Sequence, residues 1–261
     1  MGFIKVNNYN INYTVEGSGE SLLFIHGLGS DSTDWEKQVD YFSPYFKVIT
    51  LDLRGHGKSD KIRKKITIEE FTEDVYEVLK TIDANNIHIV GLSLGGMIAL
   101  DLAVKHPEII KTLTIVNSRP EYKLRSLRQF FSGLSRLIII QLFGMKASAA
   151  HIVKQIFPKP EQENIRKRFV AKWMLNDKRS YIKTILAIAG WNIETELHKI
   201  KCPVLIIASE FDYTSVDFKR QYKQKISGSE LIIIHDSYHA VTEDQPEKFN
   251  SVLADFLKVN L

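Results

Sequence analysis

Residues 87–96 read IHIVGLSLGG, and the fold turns on that decapeptide. Ile87, Ile89 and Val90 are β-branched, so the stretch opens as a strand. Glycines then bracket a serine, Gly91-x-Ser93-x-Gly95. Residues 97–104 follow as an apolar helical run that stops before His106-Pro107, as helices do ahead of proline. A strand turning sharply into a helix lifts the Ser93 hydroxyl clear of the sheet, and the flanking glycines leave room for the strained backbone. The helix also points its amide dipoles at any negative charge forming there.

Working outward, short apolar runs at 22–25, 47–51, 112–116, 204–208 and 231–234 alternate with helix-like stretches. Runs that are apolar on both faces suit central parallel strands clad by helices on each side. Residues 3–6 and 10–15, separated by Asn7-Asn8-Tyr9, read as an entering hairpin. Thr67 with Glu70 three positions later forms a capping-box pattern at the head of one helix. A last helix starts near Gln245-Pro246, with Phe249, Val252, Leu253 and Phe256 spaced as a buried face. The expected fold is α/β: a mostly parallel central sheet with helices on both faces.

One stretch breaks the alternation. Residues 118–200 show helical patterning without a convincing strand, with breaks at Gly144 and at 158–160, so they read as an inserted helical cap. Residues 1–117 and 201–261 are then the core. The insert carries 16 Lys or Arg against 6 Asp or Glu from 119 to 200, a charge of +10, and the remainder carries −6. A net charge of +4 over 261 residues therefore conceals a basic module on an acidic body.

That small net charge gives no reason to expect nucleic acid. The single cysteine, Cys202, cannot form an internal disulfide. The N-terminus has no secretory pattern, and Gly2 lacks the Ser or Thr that myristoylation wants where Val6 stands. The most apolar run, 137–143, contains Gln141 and falls far short of the roughly 20 residues of a membrane span. A soluble, reduced, cytoplasmic protein is the expectation.

A serine hydroxyl needs a base to become a nucleophile. Position favours His239, which follows the last strand on the sheet edge where the Ser93 turn sits. His235, four residues earlier, is the rival. His26 and His56 lie in glycine turns suited to a backbone role, and His88 lies inside a strand. The base in turn needs a carboxylate to hold its tautomer. Asp212, just past strand 204–208 and 27 residues before His239, is the choice, with Glu210 and Asp217 as competitors. An oxyanion hole requires two amides. Leu94 supplies one, and the His26-Gly27-Leu28-Gly29-Ser30 loop turns the Leu28 amide inward. That loop lacks the lysine and glycine spacing of phosphate-binding loops.

HGLGS, LDLRGHGKSD, GLSLGG, PVLIIASEFD and SYHAV, in this order over nearly the whole chain, resemble the α/β-hydrolase fold family. The resemblance implies a triad of Ser93, Asp212 and His239, amide donors Leu28 and Leu94, a helical cap over the site, and a structural lock at Asp52, Arg54 and Gly55. Ser209 and Val216 depart from the family's usual glycine and proline. Serine at position 93 excludes relatives that need aspartate there, the haloalkane dehalogenases and epoxide hydrolases. The activity implied is hydrolysis of a carboxylic ester or thioester of small to medium acyl size, with no cofactor and no metal. Phe130, Leu134, Trp173 and Trp191 are the expected pocket residues in the cap. Arg125, Arg128 and Arg136, or Arg166, Lys167 and Arg168, form basic groups that would receive an acidic carrier such as coenzyme A or acyl carrier protein. A ligand-binding receptor retaining the triad is the other class the sequence allows.

Overall fold

Asn7 and Asn8 both adopt positive φ, 49° and 68°, the conformation of a two-residue type I′ turn. Across it Val6 pairs with Tyr9, joining β1 (Gly2–Val6) to β2 (Tyr9–Glu16) as the expected hairpin. The structure is a computed structural model describing residues 2–122 and 127–259, the side chains of 127–134 excepted. β3 (Ser21–Ile25), α1 (Glu36–Phe42), β4 (Lys47–Leu51), α2 (Ile68–Thr81), β5 (Ile87–Leu92), α3 (Leu94–Lys105) and β6 (Ile110–Val116) follow. After the insertion come β7 (Val204–Ser209), α7 (Val216–Lys223), β8 (Glu230–Ile234), α8 (Val241–Asp244) and α9 (Pro246–Leu257).

The strands form one sheet in the order β1-β2-β4-β3-β5-β6-β7-β8. β2 is antiparallel to both neighbours, and every pairing from β4 to β8 is parallel. Alternation along β3 shows why both faces are apolar. Leu23 and Ile25 pack with Val75 and Val78 of α2 and Ile98 of α3, while Leu22 and Phe24 pack with Phe42 of α1 and Phe249 of α9. The period-two side-chain direction of a strand thus feeds two cores. α2 begins with the predicted capping box, Thr67 and Glu70 each bonding the other's backbone N–H.

Between β6 and β7 lie α4 (Leu127–Ile156), α5 (Glu163–Trp173) and α6 (Lys178–Ile188). Gly144 interrupts α4 with non-helical φ 78° and ψ −176°, where the sequence places a break. Residues Ser135–Ile156 are the one stretch among the described residues long and apolar enough to cross a membrane by length and composition. The seven-residue run understated this, because isolated polar residues do not cancel the apolarity of a whole helix. Packing accounts for part of it: Ala149, Ile152, Val153 and Ile156 cluster with Phe169 and Trp173 of α5. The neck of the insert is narrow. Glu121 bridges Asn192, Tyr122 N–H donates to Trp191 O at 2.8 Å, and Ile193 N–H donates to Pro120 O at 2.9 Å.

The uneven charge of the two parts is used within the molecule. Lys172 reaches Asp31 at 2.6 Å and Asp34 at 2.5 Å. Arg168 pairs with Glu243, and Lys159 with Asp236, each at 2.7 Å. Lys183 donates to Ile62 O at 2.9 Å and Arg63 O at 2.8 Å. Arg166 serves the carbonyls of Phe157 and Lys159, and Lys167 pairs with Glu163. Arg166 is thus held by backbone carbonyls, while Lys167 and Arg168 make ion pairs with their own side chains still largely exposed. Arg125 lies outside the described residues, and Arg128 is among those whose side chains are not described.

Candidate active site

Ser93 sits between β5 and α3 with φ 56° and ψ −112°, a conformation that L residues avoid. The surroundings hold it there. Its N–H donates to Val116 O at 2.9 Å, and Ser118 Oγ donates to its carbonyl at 2.6 Å. A Cβ on Gly95 would lie 2.1 Å from Ile25 O, and one on Gly91 would lie 2.3 Å from Gly95 O. Only glycine lets helix and strand close around the turn.

His239 Nδ1 lies 2.5 Å from Asp212 Oδ1. An ionised carboxylate only accepts, so Nδ1 carries the hydrogen and Nε2 is left as the basic nitrogen. Burial pushes the Asp212 carboxyl up, but the charges of His239 and Lys219 and their hydrogen bonds outweigh it and hold it below the usual range. The rivals fall elsewhere. His235 is 76% exposed beside Glu210, and Asp217 pairs with Arg220 at the surface. Among the described contacts no hydrogen bond joins Ser93 to His239. The two share the wall of one cavity.

The departures at Ser209 and Val216 are accommodated. Asn117 donates to Ser209 Oγ at 2.7 Å and accepts from Ser209 N–H at 2.8 Å. The same Asn117 amide donates to His239 O at 2.8 Å, tying the histidine loop to the ends of β6 and β7. Val216 opens α7, and Ser215 caps that helix by accepting from Phe218 N–H. A proline is therefore dispensable there.

The Leu28 loop is set by His26. Nε2 accepts from Leu53 N–H at 3.0 Å, so Nδ1–H donates to Gly27 O at 2.8 Å. Burial lowers the pKa of this ring, keeping it neutral in that double role. Neither the Leu28 nor the Leu94 amide donates in any described backbone hydrogen bond outside regular elements. Both residues line the cavity with Ser93 and His239. Asp52 accepts from Asn12, Ser32 N–H and Lys58 N–H, and Arg54 pairs with Asp74, so this segment is the expected lock.

The cavity has a volume of about 840 Å³ and lies between the sheet edge and the insert. Trp173 lines it. Trp191 does not: it is buried in the main core with Ile193 and Leu197, because the neck turns it inward beneath the insert. Phe130 and Leu134 lie outside the residues whose side chains are described. Two neighbours escaped the sequence reading. Lys219 of α7 is fully buried and donates to Asp212 Oδ2 at 2.5 Å and to Thr214 O at 2.7 Å. Tyr213 stacks on His239 with ring centroids 4.1 Å apart. Tyr213's position beside Asp212 was a usable signal, whereas an α7 lysine looks like any solvated helix residue.

Comparison with known proteins agrees with this fold. A family model described as alpha/beta hydrolase fold matches residues 20–143. The chain is 26% identical to an (E)-2-((N-methylformamido)methylene)succinate hydrolase of Acinetobacter baylyi, over 97% of this chain and 95% of that one. It superposes on the enol-lactonase of Burkholderia xenovorans with TM-score 0.90 and 25% identity, covering 98% and 99% of the two chains. An esterase of Exiguobacterium antarcticum shares the fold, with TM-score 0.92 at 22% identity and coverage of 99% and 100%. With the motif order, the sheet topology and these relatives in agreement, the chain has the α/β-hydrolase fold, and relatives that it matches along nearly their whole length are named hydrolases.

Proposed function

We propose that this protein is a hydrolase that cleaves a carboxylic ester or thioester, of small to medium acyl size, through an acyl-enzyme on Ser93. The observation that carries the reading is the Asp212–His239 couple on the same cavity as a serine in a strained strand–helix turn. His239 Nε2 takes the Ser93 proton as Oγ bonds to the carbonyl carbon. The carbonyl electron pair moves onto oxygen, which the amides of Leu28 and Leu94 receive. Collapse of this intermediate breaks the bond to the leaving group, which departs with the proton from Nε2. Water then repeats the sequence and frees the acid and the serine. The amides act on charge that exists only at the transition state, so they lower the barrier rather than tighten ground-state binding. Residues 118–200 serve as the lid that bounds the cavity. Relatives named hydrolase, enol-lactonase and esterase support the reaction class.

The test is fluorophosphonate labelling mapped by mass spectrometry, with turnover on p-nitrophenyl esters of increasing chain length. One equivalent on Ser93 is expected, together with a fall in kcat of at least about 10⁴-fold in S93A. Labelling without turnover would point to a ligand receptor. No labelling would overturn the nucleophile.

A further inference from the structure

Arg136 lines the cavity that holds Ser93 and His239. Its described partners are those of Tyr181: Nη2 donates to the Tyr181 hydroxyl, and the guanidinium lies 5.2 Å from the centroid of that ring. Nε is buried with no hydrogen-bond partner. Among the described residues no carboxylate pairs with Arg136, and residues 123–134, whose side chains are not described, contain no Asp or Glu.

The cavity's carboxylates are already matched. Asp34 is paired with Lys172, and Glu243 with Lys37 at 3.0 Å and Arg168 at 2.7 Å. Holding a guanidinium in a cavity wall without a counter-charge costs free energy that an anionic ligand would recover. A planar guanidinium matches a carboxylate through paired N–H···O bonds, and one guanidinium balances the single charge of a carboxylate.

We propose that Arg136 binds a carboxylate of the substrate, so that the ester cleaved bears a free carboxyl remote from the scissile carbonyl, as in a monoester of a dicarboxylic acid. The inference rests on the esterase reading above and deepens it. The unspent guanidinium works in binding, while bond breaking stays with Ser93 and His239.

Monoethyl esters of succinic, glutaric, adipic and pimelic acids, each compared with its diethyl ester, supply the test, with proton release followed at constant pH. The wild type should prefer the monoester by about 10- to 100-fold in kcat/KM at one chain length, the range of a charge-assisted hydrogen bond. R136Q should reduce that ratio by a similar factor, mainly through KM, and R136K should recover part of it. The amount of fluorophosphonate bound at completion normalises for any loss of folded protein. A ratio unchanged between wild type and R136Q, or no wild-type preference at any chain length, overturns the inference. If Ser93 neither labels nor turns over ester, the esterase reading fails on its own. Calorimetry of monoethyl glutarate and monoethyl adipate binding then decides the role of Arg136 without catalysis: binding lost in R136Q upholds it, and equal binding overturns it.

Discussion

Lys219 and His239 hold Asp212 from opposite oxygens, so the carboxylate cannot rotate away from the imidazole. The lysine lies in the interior with its target, where burial pulls its pKa down and Asp212 partly restores it. Removing one member of a buried pair strands the other, at a cost of about 3–5 kcal/mol. K219M should lose stability of that order in urea denaturation, along with turnover. K219M/D212N should lose clearly less than the sum of the single variants, since each residue is costly mainly in the absence of the other. Additive losses would mean that the pair is not coupled. His239 was legible from the sequence because strand order places its loop at the right edge. The lysine was not, because sequence position does not reveal which side of a short helix faces inward.

Strands were the most readable elements: all eight expected runs lie in the sheet, the central ones because an apolar segment buried on both faces has few other places to go. The insert was readable as helical, with its breaks at Gly144 and Pro160, but its attachment was not. Ion pairs between α5 and the loop after β3 join residues about 140 positions apart, and no local pattern encodes them. Lys172 illustrates this by pairing with two carboxylates. Burial pushes Asp34 up to about 7 despite the lysine, whereas the charge and hydrogen bond of Lys172 outweigh burial at Asp31 and hold it low. Asp34 therefore contributes stability that is complete below its unfolded pKa and is lost as pH rises through about 7. Buried His26 and His56 act in the opposite direction below pH about 6.5, so wild type and D34N must be compared at each pH. From pH 5 to 7 the stability of D34N relative to wild type should rise, by up to about 1.4 kcal/mol per pH unit. A constant difference in melting would show that Asp34 is ionised throughout.

At the scale of the molecule, a basic insert rests on an acidic body, and its rim contacts Lys159–Asp236 and Arg168–Glu243 include exposed partners. Salt screens such pairs, the Debye length falling from about 10 Å at 0.1 M to about 3 Å at 1 M. Amide exchange in α5 should therefore quicken as salt is raised, while β5 and β6 keep their protection. Uniform exchange at both salt levels would show that apolar packing alone seats the insert. The neck where the chain leaves and re-enters the sheet has a practical meaning. Because Pro120 to Tyr122 and Trp191 to Ile193 already run side by side, the helices between them form a cassette. A donor lid from another member of the fold, grafted between Tyr122 and Trp191, would inherit this doorway intact, so chimeras could exchange substrate range while the reacting groups stay where they are.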